Sequence, residues 1–512
     1  MRAIFILFDT LNRHFLEPYG GSLTQTPNFR RLAERSVRFD RHYVGSLPCM
    51  PARRDLLTGR LNFMHRSWGP LEPFDVPLPQ LLKQAGVYSH LVTDHYHYLE
   101  PGGVGYMNAF SSFEVLRGQE GDCWKAEVDP PLTDWKQKYH PAQYSDKPGN
   151  LYYHNMVNRA EVKDETDFSS VQCFDLGCEF LDRNSAADNW FLQIETFDPH
   201  EPFHAPERLR EKFPTEYDGP VRDWPPYSRV SEDKAEAAEL VANYMALLAH
   251  CDEQLGRVLD KMDALDLWKD TMLVVSTDHG FLTGEHGWWA KNKMPAYQEI
   301  ANIPLFVHHP DHVQCQGQDR TTLTQTPDLM PTFLDAFGCS VPHQVRGQSI
   351  LPALASPEVR IRDAAIFGYF GGAINVTDGQ YSYFRYPDEL LDQTLFQYTL
   401  MPSHMLETFT AQEMAGATLI DDLAYSGDYK VMRIPVIEQS PWYNSHGPAV
   451  MEANSSLLFD IKNDPHQADP IADPALHDRL IGMLTTEMAR NDAPPEAFER
   501  LGLESNGGPE HG

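Results

Sequence analysis

The sequence predicts an α/β protein: a large mixed, mainly parallel sheet sandwiched by helices, followed by a smaller C-terminal α+β subdomain. Three observations carry this. Short apolar runs, Met1-Arg2-Ala3-Ile4-Phe5-Ile6-Leu7-Phe8 and Thr271-Met272-Leu273-Val274-Val275-Ser276-Thr277, have the length and near-continuous hydrophobicity of strands buried on both faces. From residue 1 to about 375 such runs alternate with amphipathic stretches, which places helices on both sides of the sheet. Residues 376–512 instead open on the strand-like Ser382-Tyr383-Phe384-Arg385-Tyr386 and close on a helix near 475–490. The expected division is therefore 1–375 and 376–512.

Taken in order, the first run ends at Asp9 and the run at 271–277 ends at Asp278-His279-Gly280. Ligands of open α/β sheets sit beyond the carboxyl ends of the strands, so two carboxylates at two strand ends can converge. Two Asp and one His make a hard-oxygen and imidazole set suited to one divalent cation. Either Asp alone serves as an element cap as readily as a ligand; together with Cys49, capping explains them poorly. Residues 107–160 carry Pro, Gly and aromatics without clear periodicity, the pattern of an insertion near a site mouth, where Arg117 or Trp124 is a candidate for substrate contact or for a structural loop. The clearest helix covers 235–262, with Leu240, Tyr244, Leu247, Cys251, Leu255 and Val258 on one core-facing stripe. Residues 388–450 are rich in Met, Tyr and Pro and are expected to cap the site or bridge subunits in a homo-oligomer.

The most informative stretch is Cys49-Met50-Pro51-Ala52-Arg53, followed by Leu56-Leu57-Thr58-Gly59-Arg60. Its C-x-P-x-R spacing and the downstream Leu-Thr-Gly-Arg resemble the sulfatase motif whose cysteine a modifying enzyme oxidises to formylglycine; the alternative is a buried cysteine beside a helix start. Further segments extend the resemblance to the formylglycine-dependent sulfatases and phosphonate monoester hydrolases of the alkaline phosphatase superfamily. Pro199-His200-Glu201-Pro202-Phe203 resembles the P-H-x-P-F loop, and His286-Gly287-Trp288-Trp289-Ala290-Lys291 the loop carrying an active-site lysine. Asp328–Asp335 with Gly347-Gln348-Ser349, and Leu458-Phe459-Asp460 with Asn463-Asp464-Pro465, resemble later elements of the family.

The resemblance implies an alkaline-phosphatase-like fold and a set of roles. Asp9, Cys49, Asp278 and His279 would hold one divalent metal, Ca2+ first, with Mn2+ or Mg2+ as alternatives. Water would add to the aldehyde made from Cys49, and one hydroxyl of the resulting diol would attack sulfur or phosphorus. Arg53 would stabilise that oxygen, and Lys291 the charge on the non-bridging oxygens. His200 would protonate the leaving group, and His97 would take the proton from the second hydroxyl, releasing product. The chain departs from the family at Thr10, where a second Asp ligand is common, and at His95, where Lys is usual. An imidazole at position 95 is expected to contact sulfate or sense substrate, with a charge that depends on pH near neutrality.

The expected activity is hydrolysis of a small sulfate monoester, a sulfated sugar or an aryl sulfate. Phosphonate monoesters or phosphodiesters are the alternative, and a silent metal-binding or thiol protein the third reading. A net charge of −31 disfavours nucleic acid and long polyanions. No apolar stretch approaches a membrane span, so no membrane is expected as partner. The first strand begins at Met1 without a basic flank, and seven cysteines show no finger-like pairing, from which a cytoplasmic location is expected. The partners expected are a small-molecule sulfate ester and a formylglycine-generating enzyme.

Overall fold

The computed structural model describes residues 1–421 and 423–504. Its main sheet has eight strands in the order Asp319–Arg320, Val37–Phe39, Leu305–His308, Thr271–Thr277, Arg2–Phe8, Trp190–Glu195, Tyr88–Thr93 and Ser112–Val115. All neighbours pair in parallel except Leu305–His308, which runs against both of its partners. The sheet is thus mixed and mainly parallel, as the apolar runs imply.

Side chains along the first strand alternate between two cores, as a two-residue period requires. Ile4, Ile6 and Phe8 face Leu240, Leu247, Leu255 and Leu259 of the helix Lys234–Ala264, with Phe174 and Leu181 of the helix Ser169–Asn184. Ala3, Phe5 and Leu7 face Met50, Leu56 and Leu57 of the helix Cys49–Thr58 and Phe333 and Leu334 of the helix Leu329–Ala336. Asp233 starts the 31-residue helix by accepting from the amides of Ala235 and Glu236.

The smaller, five-stranded sheet has the order Leu457–Asp460, Tyr381–Arg385, Ile374–Thr377, Ala365–Tyr369 and Ser46–Leu47. Its last strand comes from just before the Cys49 helix, so this sheet and the main one share the segment that presents Cys49. A boundary at 375 falls inside the strand Ile374–Thr377, and both partners of that strand belong to the small sheet. The helix Pro474–Arg490 packs Leu480, Leu484 and Met488 against Ile366, Ile374 and Val376. Residues 107–160 are not irregular throughout: they contain the edge strand and the helices Leu132–Lys138 and Leu151–Arg159, whose Tyr153, Met156 and Val157 pack on Trp135 and Tyr139. Periodicity was masked because these helices are short. Among the described residues no helix is long and apolar enough to cross a membrane.

Candidate active site

Register brings the chemistry together. Phe8 pairs with Thr277 and Leu7 with Glu195, while Thr93 of the next strand also pairs with Glu195. Four adjacent strands therefore deliver Asp278 and His279, Asp9 and Thr10, Glu195, and the loop that begins at Asp94 to one edge of the sheet. Gly280 follows because a Cβ there would lie 1.8 Å from the Glu299 carbonyl oxygen.

Cys49 opens its helix at the floor of this edge and is 3% exposed. Its Sγ lies 3.2 Å from His279 Nε2 and 4.0 Å from Asp9 Oδ1. The donor atoms of Asp9, Cys49, Asp278 and His279 all lie within 4.8 Å of one another, and all four residues are buried. The Nδ1–H of His279 donates to the Gly280 carbonyl at 3.0 Å, which leaves the Nε2 lone pair facing the cluster. Asp9 Oδ2 is buried with no aligned hydrogen-bond donor. Two carboxylates, one of them with an oxygen left without a donor, and an imidazole lone pair fit a divalent cation.

Arg53, one helical turn after Cys49, binds this set from behind. Its Nε bonds Glu195, its Nη1 bonds Asp278 and the Cys49 carbonyl, and its Nη2 lies 3.0 Å from Asp9 Oδ2. Glu195 also accepts from Tyr98 Oη at 2.9 Å and Gln193 Nε2 at 3.1 Å. The guanidinium is occupied by three carboxylates from three strands, so its local task is to hold them together. Burial opposes the Asp9 charge, yet Arg53 and His95 keep that carboxyl well below its usual range. Burial and the neighbouring Asp9 push Asp278 up. Burial, then Asp9, also pushes the Cys49 thiol well above its ordinary value, so the side chain as encoded is a protonated thiol.

Lys291 reaches in from the segment after the strand Trp289–Ala290 and donates to Thr10 Oγ1 at 3.0 Å. Thr10 in turn donates to Asp9 Oδ1 at 2.6 Å, so it steadies a ligand candidate. Thr10, Ala290 and Asn292 all adopt left-handed backbone conformations (φ 64°, 70° and 80°), local strain concentrated around the Lys291–Thr10 contact. Burial opposes the charge on Lys291, but Cys49, Glu201 and Asp9 raise its pKa.

The histidines divide. His95 is fully buried with Nε2 3.3 Å from Asp9 Oδ2. Burial and then Arg53 hold its pKa well below that of free imidazole, so it is neutral near pH 7 and does not supply the titrating charge expected from sequence. His97 stacks edge-on to Trp68 and shares a 2.6 Å hydrogen bond between Nδ1 and Glu100; among the described residues it makes no hydrogen bond to Cys49. His200 donates from Nδ1 to the Glu201 carbonyl at 2.7 Å, with Glu201 Oε2 3.3 Å away. Burial and Lys291 depress its pKa. In that neutral tautomer Nε2 carries a lone pair, and proton donation from it requires the imidazolium.

Residues 2–339 match the family model described as Sulfatase, about two thirds of the chain. The chain belongs to the sulfatase family. Residues 284–416 of this sulfatase also match the model of the N-sulphoglucosamine sulphohydrolase C-terminal region. It is 24% identical over 442 residues to an N-acetylglucosamine-6-O-sulfatase of Bacteroides thetaiotaomicron, covering 75% of this chain and 74% of that one. It is 24% identical over 440 residues to a choline-sulfatase of Rhizobium meliloti, covering 76% and 79%. In fold it is similar to BT4656, solved in complex with its substrate D-glucosamine-2-N,6-O-disulfate, with TM-score 0.66, 17% identity and coverage of 97% and 99%. It is also similar to the phosphonate monoester hydrolase of Agrobacterium radiobacter, with TM-score 0.63, 17% identity and coverage of 96% and 95%. The sulfatase therefore has the alkaline-phosphatase-like fold and is a hydrolase of sulfuric esters.

Sequence reasoning missed Glu195, Glu120 and Glu201 of this sulfatase. Glu195 carried a readable signal, because Trp190–Glu195 is another apolar run ending in a carboxylate, like those ending at Asp9 and Asp278. Arg117 grips Asp122 with two hydrogen bonds, as a structural loop would, and Trp124 lies partly exposed beside Lys125; both line one small cavity with Glu120. Glu120, between them, reaches His200 and Glu201 instead. The 388–450 segment packs on residues 66–103, where Gly102 donates to the Met405 carbonyl and Arg66 to the Ser403 carbonyl.

Proposed function

We propose that this sulfatase hydrolyses small sulfate monoesters through a formylglycine made from Cys49, assisted by one divalent metal ion held by Asp9, Cys49, Asp278 and His279. The observation that carries the reading is the convergence of those four donors within 4.8 Å, with Arg53 and Lys291 beside them. The oxidised residue supplies an oxygen nucleophile that a buried, protonated thiol does not, and the metal ion supplies positive charge for that oxygen and the sulfuryl group. Ca2+ suits a set with two carboxylates, and Mn2+ or Mg2+ is compatible with the same donors.

The remaining chemistry belongs to the chain's own residues. Arg53 fixes the spacing of Asp9, Asp278 and Glu195, so the metal ligands are ordered before substrate arrives. Lys291, held protonated, neutralises a non-bridging sulfuryl oxygen as charge builds there. His200 protonates the departing oxygen; it must enter as the imidazolium, which the carboxylate of Glu201 favours from 3.3 Å. His97, anchored by Glu100, takes the proton whose removal frees the sulfate. His95 positions Asp9.

The alternative, cleavage of phosphonate monoesters or phosphodiesters, uses the same groups. The experiment is peptide mass spectrometry across Cys49 on protein made with a formylglycine-generating enzyme, beside turnover of matched aryl sulfate and aryl phosphonate esters. Aldehyde at position 49 with faster sulfate turnover is expected. Faster phosphonate turnover would move the assignment, and unmodified cysteine with neither ester consumed would overturn both. The reading places the sulfatase in the cytoplasm, where reducing conditions suit seven cysteines that form no disulfide; fractionation of the native host tests this.

A further inference from the structure

Beside the metal-ligand set lies a second cluster that the mechanism uses only in part. Glu120, His200 and Glu201 are buried, and they offer donor atoms within 4.8 Å of one another. Tyr96 donates to Glu120 Oε2 at 2.5 Å and Tyr227 to Glu201 Oε1 at 2.6 Å. Glu201 Oε2 is left fully buried without a hydrogen-bond partner, and among the described residues no Arg or Lys makes a direct ion pair with either glutamate, Lys291 acting on Glu201 only from beyond ion-pair distance. Two carboxylates buried this way are costly unless a cation completes them.

The charge balance points the same way. Five buried carboxylates, Asp9, Asp278, Glu195, Glu120 and Glu201, share two permanent cations, Arg53 and Lys291. One divalent metal ion and a monoanionic sulfate ester leave that assembly negative. A protonated His200 offsets one charge and leaves a glutamate over once Glu120, raised by burial to about 7, has lost its proton. Aromatic rings pack beside the cluster: Tyr96 lies 5.7 Å from Phe197, which packs on His200 at 4.2 Å. Such rings favour an organic cation over a bare metal ion, because they offer quadrupoles and few further oxygens.

Resting on the sulfatase reading above, we infer that Glu120 and Glu201, with Tyr96 and Tyr227, form a leaving-group subsite for a positively charged substrate: a sulfate ester of an alcohol carrying an ammonium group. His200 belongs to both clusters, so the ester oxygen it serves and the ammonium would be a few bonds apart.

The test is twofold. Calorimetry on the unmodified, metal-loaded protein uses a trimethylammonio-alkanol and its uncharged tert-butyl isostere, so no turnover is needed. The ammonium alcohol is expected to bind at least tenfold tighter, and Glu120→Gln and Glu201→Gln to remove most of that preference while keeping the melting temperature. The sulfate esters of the same two alcohols, given to formylglycine-bearing enzyme, should show the same preference in kcat/KM and the same fall in the ratio on Glu120→Gln. Equal binding of the two alcohols, a preference untouched by both variants, or a second Mn2+ equivalent that binds wild type and is lost in Glu201→Gln would overturn the subsite. Selective ammonium binding with neither ester hydrolysed would instead uphold the subsite and overturn the sulfatase reading.

Discussion

The two sides of this site are built differently. The side that faces sulfur is made from strand ends and one helix start, and Arg53 alone ties three of its carboxylates together. The side assigned to the leaving group is made from loops: Tyr96 after the Tyr88–Thr93 strand, Glu120 after the edge strand Ser112–Val115, His200 and Glu201 after Trp190–Glu195, Tyr227 before the long helix. Backbone hydrogen bonds fix the first side to the sheet. The second can change residue by residue without disturbing a strand, which is how one reaction comes to serve different alcohols.

Breaking the sulfur side should cost most. Cys49→Ala is expected to lower turnover by about a thousandfold or more, because it removes the nucleophile that every other group assists. An active Cys49→Ala enzyme would sink the mechanism. Arg53→Met should leave three buried carboxylates without their shared cation and destabilise the fold by about 3–5 kcal/mol, read from urea unfolding. If stability hardly changes, the guanidinium is not the clamp described here.

The leaving-group side should show itself in pH dependence. Burial raises Glu120 from 4.5 to about 7, so the folded protein holds a proton that the unfolded chain has already lost. Stability attributable to Glu120 should therefore be greatest below pH 4.5, fall as pH rises towards 7 and level off above it, by on the order of 3 kcal/mol in all. Glu120→Gln should flatten that slope relative to wild type; parallel slopes would show that Glu120 does not titrate there. Removal of metal by a chelator should lower the melting temperature, with about 2.7 kcal/mol lost if the ion had been present at a hundred times its Kd. The smallest effect belongs away from both sides. Arg208, exposed between Glu165 and Glu253, should cost no more than about 1 kcal/mol on replacement by Ala.

Legibility followed the same division. Asp9, Asp278 and His279 were readable because a buried strand is an apolar run and its end is marked by the first charged residue. Cys49 and Arg53 were readable because their C-x-P-x-R spacing resembles the sulfatase motif, and the fold sets them one turn apart on a helix. The long helix was readable from its stripe. Glu120 and Glu201 were not, because nothing in a loop's composition says which of several acids turns inwards; Arg117, which shares one small cavity with Glu120 and Trp124, is instead taken up by Asp122. The neutrality of His95 was equally hidden, since it depends on burial and on Arg53, which is distant in sequence. The small sheet's use of Ser46–Leu47 escaped notice because a two-residue strand has no periodicity.

The depth of Cys49 also sets an order of events. Its sulfur sits between the small sheet, which holds the preceding strand, and the core of the main sheet, with 3% of the residue exposed. A macromolecule that alters this side chain has to reach the sulfur, and the finished fold buries it. On the proposed mechanism, oxidation at position 49 is therefore expected while the segment is still unfolded, early in the life of the polypeptide. On that reading, a molecule that folded before oxidation would be shut out of activity by its own stability.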